Sequence, residues 1–407
     1  MRVTVIQGGQ WGSESKGMVA EQWARNNRIP NVIRTGSINA GHTVYKGTDK
    51  YVFQQLPTAS INKDYEYRPN IYIGAGAYIH KPTLDAEVAM VEKVDPNFRK
   101  RLFIDYRATM HTDAHMSEAR GANRHLSMGA TGKGCAEVMV HKIQSRGSSL
   151  QAVLASSLES EYNVVDLPEH IDDDCLIEGT QGAELDVHLG PYPYVTSRMT
   201  SVAAWVAESG LPCTNVEPVL VFRTFPIRVA GNSGPMPQEI SWVELADEIN
   251  GKLRRAHKNP IVKGESINAF VEAVSKVSKK YGVDGNKMHL LTGSDRVKHR
   301  DALSNLHQEA FKSLSPETVD ELRKLFEVTT VTKKLRRIAR FDMDTFLRVV
   351  RREQPVAVVF TFMNYLFPAV DLREANLMKR WIGERMGVHK GVKRYMSYSP
   401  FGFREAE

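Results

Sequence analysis

Val3-Thr4-Val5-Ile6-Gln7-Gly8-Gly9-Gln10-Trp11-Gly12-Ser13-Glu14-Ser15-Lys16-Gly17 begins as an apolar run, passes three glycines and reaches a lysine. The run 3–7 reads as a buried strand, and 17–26 has the apolar spacing of a helix. Strand, glycine loop and helix in that order open a nucleotide-binding α/β fold. Glycines let backbone N–H groups approach a phosphate closely, and the helix N-terminus adds its dipole. Lys16, at the turn into the helix, can meet a β- or γ-phosphate. The pattern departs from a P-loop, because Gly17 stands where Ser or Thr would hold magnesium.

Outward from that stretch, 31–34, 70–74, 102–106, 174–178, 216–222 and 355–360 read as further buried strands, rich in Val, Ile, Leu and Phe. Helical patterns at 83–94, 136–146 and 201–208 lie between them. The alternation predicts an α/β fold with a central, mostly parallel sheet flanked by helices. The stretch 241–326 differs: it is charged, poor in strand signal, and predicts helices over 243–256, 266–280 and 315–326. It reads as a mostly helical insertion within one domain spanning 1–407.

The net charge of +7 suits an anionic ligand, and nucleotides and nucleic acids both qualify. No nucleic-acid module or aromatic-basic platform is recognisable, which disfavours a nucleic-acid partner. Hydrophobic residues at 42% and charged residues at 25% exclude disordered and fibrous classes. No apolar run approaches the ~18 residues of a membrane span, and the first residues lack the pattern of a secretory signal. Three scattered cysteines form no disulfide or zinc framework. These features predict a cytoplasmic protein with no membrane partner.

Two more stretches carry chemistry. Asn39-Ala40-Gly41-His42-Thr43 sets a histidine beside a glycine, where it can act as a general acid near neutral pH or serve as a loop or core histidine. Glu178-Gly179-Thr180-Gln181-Gly182 ends a strand, and Tyr192-Pro193-Tyr194-Val195-Thr196-Ser197 follows. The Gln181 amide offers donors and an acceptor that suit a purine edge. Tyr-Pro-Tyr is equally readable as a rigid aromatic turn.

Taken together and in this order, these stretches resemble adenylosuccinate synthetase. That family carries G-x-Q-W-G-D-E-G-K-G, N-A-G-H-T, E-G-x-Q-G and Y-P-Y-V-T-S. Ala130-Thr131-Gly132-Lys133-Gly134, Arg228-Val229 with Gly234-Pro235-Met236-Pro237, and Thr329-Thr330 through Arg336-Arg337 extend the likeness along the chain. The resemblance implies transfer of a γ-phosphoryl group to the purine 6-oxygen, then displacement of phosphate by the aspartate amine. It places Ser13, Lys16 and His42 at the reacting centre. Ser13, Asn39, Thr131, Arg146, Gln181 and Thr196 would hold the purine monophosphate, with Arg146 reaching across a homodimer interface. Gly12, Glu14, Ser15, Lys16, Gly17, Gly41, His42, Thr43, Phe362, Asn364, Ser397, Ser399 and Pro400 would hold the triphosphate. Thr329, Thr330, Arg336 and Arg337 would bind aspartate, and Mg²⁺ would be held at Ser13 and the Gly41 carbonyl.

Two departures redirect the expected substrates. Ser13 stands where the family has the aspartate that takes the N1 proton and binds magnesium. A shorter, neutral side chain leaves room for a purine 2-amino group and can accept its hydrogen bond. In this the chain resembles the phage-type 2-aminoadenylosuccinate synthetases, which act on dGMP and lead to diaminopurine DNA; the location would then be the host cytoplasm. Asn364 stands where the family has the aspartate that reads guanine, and its amide matches adenine instead. Phe362 replaces a lysine and can offer a stacking face. The expected reaction is dGMP or GMP with aspartate and ATP or dATP. Alternatives are an ordinary synthetase using IMP and GTP, and a nucleotide sensor without activity.

Overall fold

The computed structural model describes residues 1–62, 67–122, 131–146, 152–212, 214–229, 233–278, 300–329, 334–369, 372–387, 391–399 and 402–406. Two residues of the expected site, Thr330 and Pro400, lie outside them.

The strands named here are β1 (Val3–Gly8), β2 (Asn31–Arg34), β3 (His42–Lys46), β4 (Asp49–Phe53), β5 (Asn70–Ile73), β6 (Leu102–Asp105), β7 (Asn163–Val165), β8 (Cys175–Glu178), β9 (Val216–Arg223), β10 (Ala357–Thr361), β11 (Lys393–Ser399) and β12 (Gly402–Glu405). Ten of them form one sheet in the order β12-β11-β10-β9-β1-β8-β2-β5-β6-β7. Neighbours run parallel except at β12, which is antiparallel to β11. The six buried strands read from the apolar runs after β1 all lie in this sheet. β3 and β4 form a separate hairpin, His42 opposite Phe53, that the sequence pattern did not signal.

Both faces of the sheet are covered, as a parallel sheet requires. On one face Val19, Ala20, Trp23 and Ala24 of α1 (Lys16–Asn26) and Leu84, Val88 and Val91 of α2 (Lys81–Glu92) pack with Ile6, Val32 and Ile71. On the other, Val202, Trp205 and Val206 of α5 (Val202–Ser209) cover Val3, Val5, Ile33 and Ile177. Between α2 and α5 in the chain come α3 (Asp113–Gly121) and α4 (Cys135–Gln144).

The stretch after Ile240 packs around a separate hydrophobic cluster, which Phe225, Ile227, Ile338 and Tyr365 also join. α6 (Trp242–Arg255) starts on a reciprocal cap: the Ser241 hydroxyl accepts from Glu244 N, and the Glu244 carboxylate from Ser241 N. With α7 (Gly264–Ser278), α8 (Arg300–Lys312) and α9 (Pro316–Leu322) it gathers Leu245, Ile249, Phe270, Leu306, Phe311 and Phe326. After it, α10 (Met343–Glu353), α11 (Met363–Leu366) and α12 (Leu372–Met386) complete the β10 side of the sheet, where Phe222, Phe346, Phe360 and Ile382 pack.

Candidate functional site

β1 lies between β8 and β9, so the carboxyl ends of the central strands open onto one place. Register brings Glu178 level with Ile6 and Arg34, and Arg223 level with Thr361. Open parallel sheets bind ligands at such carboxyl ends.

The loop leaving β1 is held in an uncommon shape. Ser13 (φ 62) and Ser15 (φ 66) are both left-handed, which costs a non-glycine residue about 1–2 kcal/mol each. Gly17 is a glycine for a different reason: a Cβ there would stand 2.8 Å from Thr58 Cγ2 and 2.9 Å from the His42 Cβ. Its absence lets the β3 end carrying His42 close onto the first turn of α1. Glu14 folds back into the loop, its carboxylate accepting from Gly12 N at 2.8 Å and from Lys16 Nζ at 2.7 Å. Both side chains are buried. The carboxylate thus occupies donors that an incoming phosphate would use.

His42 Nδ1 lies 2.5 Å from Glu178 Oε1. The same carboxylate accepts from Arg34 Nη1 at 3.0 Å, and from Thr58 N and Oγ1 at 2.7 Å each. Burial opposes the charge on Glu178, but these partners outweigh it and hold its pKa below the ordinary carboxylate range. Burial, followed by Arg34, pushes the His42 pKa down to about 4, so the imidazole is neutral at pH 7. Arg34 Nη2 also donates to Ala40 O at 3.0 Å, fixing the loop of Asn39 and Gly41. Gln181 (φ 54) donates from Nε2 to Asn39 Oδ1 at 3.1 Å and accepts from Thr180 Oγ1 at 2.8 Å. Two loops expected at one purine therefore meet. Thr196 is half-buried nearby in the chain fold, its N–H donating to Leu185 O. Thr131 and Arg146 flank α4 and are exposed.

On the β9–β10 side, Arg223 pairs through both terminal nitrogens with Glu327, which also accepts from Tyr365 Oη at 3.0 Å. Arg336 Nη1 donates to Ser13 Oγ at 2.9 Å. Phe362 starts α11 in the left-handed region, and the Arg223 guanidinium sits 3.6 Å from its ring centroid. One face of the expected stacking ring is therefore taken by a cation. Asn364 is half-buried one residue into α11. β10 and β11 are paired, which brings the 362–364 segment to the strand bearing Ser397 and Ser399; Ser397 Oγ donates to Ser399 O at 2.8 Å.

The two loop arginines part company. Arg337 is buried, bidentate to Glu239 at 2.8 and 2.6 Å, and donates further to Ser233 Oγ and Gly234 O. With its fork committed there, it is left out of the aspartate clamp expected from the sequence. Thr329 is buried, accepting from Lys334 N at 2.9 Å.

Magnesium needs only one or two protein oxygens when phosphates and water supply the rest. The exposed Gly41 can offer its carbonyl. Ser13 Oγ already accepts from a guanidinium, which leaves it one lone pair for a further partner. No group of three His, Cys, Asp or Glu side chains suited to a metal occurs among the described residues.

Arg34, Thr58, Arg223, Glu327 and Tyr365 were not singled out from the sequence. A charged residue closing an apolar strand was a signal for Arg34 and Arg223. Nothing local marked Glu327, whose partner is 104 residues away.

A glycine loop feeding a helix N-terminus, beside a carboxylate–histidine pair at the centre of a parallel sheet, defines a nucleotide-binding α/β enzyme. The profile of the family described as adenylosuccinate synthetase matches residues 5–165 and 162–367. The adenylosuccinate synthetase of Methanocaldococcus jannaschii is 36% identical over 252 residues, covering 59% of this chain and 69% of that one. That of Methanococcus maripaludis is 34% identical over 263 residues, covering 61% and 73%. Among solved structures, the cyanophage S-2L succinoaminodeoxyadenylate synthetase (PurZ), bound to dGMP and dATP as an energy donor, superposes with a TM-score of 0.67 at 21% identity, covering 100% of this chain and 95% of that one. The fully ligated adenylosuccinate synthetase of Plasmodium falciparum gives 0.57 at 18% identity, covering 90% and 78%. The chain belongs to the adenylosuccinate synthetase family, and is a C–N ligase of purine nucleotide synthesis.

Proposed function

We propose that the chain joins L-aspartate to C6 of a guanine monophosphate, dGMP in preference to GMP, with ATP or dATP as phosphoryl donor. The products are 2-amino-N6-succinyl-(d)AMP, the nucleoside diphosphate and phosphate. The observation that carries this reading is Ser13: a neutral hydroxyl, held by Arg336, stands where the family has a carboxylate. Next to a purine 2-amino group it can accept a hydrogen bond without the bulk of that carboxylate. The cyanophage synthetase solved with dGMP and dATP has this fold, but the substrate argument rests on Ser13 and Asn364.

In this reading Lys16 and the loop amides neutralise charge on the transferring phosphoryl group. They become available when phosphate displaces the Glu14 carboxylate. Asn39 and Gln181 hold the purine, with Thr131, Thr196 and the partner subunit's Arg146. Asn364, with Ser397 and Ser399, reads adenine, and Phe362 packs against it with its uncovered face. Thr329 and Arg336 meet aspartate. The Gly41 carbonyl would hold a Mg²⁺ carried by the triphosphate, and that ion would neutralise phosphate charge. The whole chain works as one domain with 241–326 as its helical insertion.

The test is a matrix of IMP, GMP and dGMP against ATP, dATP and GTP, with aspartate and magnesium, read as succinyl-purine formation. Turnover with dGMP or GMP and an adenine triphosphate is expected. Turnover confined to IMP with GTP overturns the reading. In the same assay Asn364→Asp is expected to move preference toward GTP by ten-fold or more, a modest share of what unpaired polar groups achieve.

A further inference from the structure

We propose that Arg336 takes over the task of the absent carboxylate: its guanidinium stabilises the purine as an N1-deprotonated 6-oxyanion, and the N1 proton leaves to water. This deepens the guanine-monophosphate reading and rests on it. The electron pair of the N1–H bond is delocalised onto O6. O6 then attacks the γ-phosphorus, the bond from that phosphorus to the β,γ-bridging oxygen breaks, and the nucleoside diphosphate departs with that electron pair.

Three features of the site support the assignment. First, Ser13 is no base. Its Oγ accepts from Arg336 Nη1 at 2.9 Å, and a hydroxyl beside a cation binds a proton even less readily than a free one. Second, the local charges do not cancel. Glu327 is engaged by both terminal nitrogens of Arg223 and by the Tyr365 hydroxyl, while Arg336 forms no ion pair with a carboxylate among the described residues. Lys16 and Glu14, in the same loop as Ser13, neutralise each other. One positive charge is thus left facing Ser13, where the family's aspartate would have neutralised it. Third, Arg336 is held in place yet reachable. Its N–H donates to Glu327 O at 2.8 Å, its carbonyl accepts from Trp242 Nε1 at 2.6 Å, and its side chain is only partly buried. A fixed donor aimed at developing charge needs no reorganisation as the reaction proceeds. An arginine beside a weak acid lowers its ionisation by roughly one to three pH units.

The experiment is an ultraviolet difference titration of dGMP bound to the protein, without aspartate or triphosphate, so that the amino-acid site plays no part. Bound guanine is expected to ionise at N1 at least one pH unit below free dGMP. Arg336→Gln should return that ionisation to the free value, and Arg336→Lys should recover part of the shift. Ser13→Ala should keep it, because the charge and not the hydroxyl produces it. Ionisation of the bound base at or above the free value in the wild type overturns the proposal, as does an unchanged shift in Arg336→Gln. If Arg336→Gln does not fold, the wild-type value and Arg336→Lys decide. Failure of dGMP to bind would instead sink the substrate reading; the same titration on bound IMP, which ionises at the same nitrogen, then still decides the role of Arg336.

Discussion

At the residue scale the site is a set of buried charges, each answered by named partners. Glu178 organises the reacting side: it orients His42, neutralises Arg34 and accepts twice from Thr58. Because Nδ1 faces Glu178, Nε2 is the nitrogen left for the phosphates. Polyphosphate arriving there favours the charged imidazole that a proton donor requires. His42→Ala is expected to cut turnover by roughly 10²–10⁴-fold. Nucleotide affinity, measured by calorimetry, should change little; near-normal turnover would remove His42 from the mechanism. Residues of this kind were legible where the backbone itself is demanding, as with Gly12, Gly17 and the Gly41-His42 pair. Arg223, Glu327 and Tyr365 were not, because their meaning arises only when β9, the insertion and α11 meet.

At the element scale, seven of the ten strands in the large sheet were readable from apolar runs, to within about two residues at their ends, while β7, β11 and β12 were not. The helix Met343–Glu353 was passed over although Asp342 caps Thr345 N and Phe346, Val349 and Val350 follow at helical spacing. The β3–β4 hairpin was hidden because its mixed, half-exposed side chains give no clean alternation. Helices α3 and α4 carry a second feature that pattern reading misses. His111 contacts Ser37 Oγ at 3.2 Å, and its ring lies against His80 and His115; His115 in turn meets His141 at 3.1 Å. Burial, then the neighbouring histidines, pushes the His111 pKa down to about 4, with Asp113 opposing. Above its unfolded value near 6.5 the ring is neutral in both states and the shift contributes nothing. As pH falls from about 6.5 toward about 4 the unfolded chain binds the extra proton, so stability is lost through that window, by at most ~3 kcal/mol. Urea midpoints at pH 7.5 and 5.0 check this. The drop should shrink in His111→Asn, which keeps a partner for Ser37, and an equal drop in both proteins would clear His111.

At the scale of the whole molecule, α4 carries exposed aliphatic side chains close to the exposed Arg146. Val140 and Ile143 are 46% and 54% exposed, lie three residues apart on one side of α4, and Val153 beyond its end is 55% exposed. Arg146 stands two residues past the end of the same helix, exposed, and among the described residues its Nε donates to Ile143 O. An exposed arginine next to exposed aliphatics fits a surface that closes on a second copy and delivers a guanidinium to a phosphate there. The expected outcome has two parts. Val140→Asp with Ile143→Asp should convert a dimer to a monomer in sedimentation experiments. It should also raise the KM for the purine monophosphate at least ten-fold, because each site would lose the partner's Arg146. Arg146→Ala alone should leave the dimer intact while raising the same KM. Mixing Arg146→Ala with a His42→Ala protein then discriminates sharply. Heterodimers contain one site with both residues wild type, so activity should return toward a quarter of the wild-type level on equal mixing. No recovery on mixing would mean that Arg146 acts within its own subunit, and the two-chain site would have to be abandoned even if the protein is a dimer.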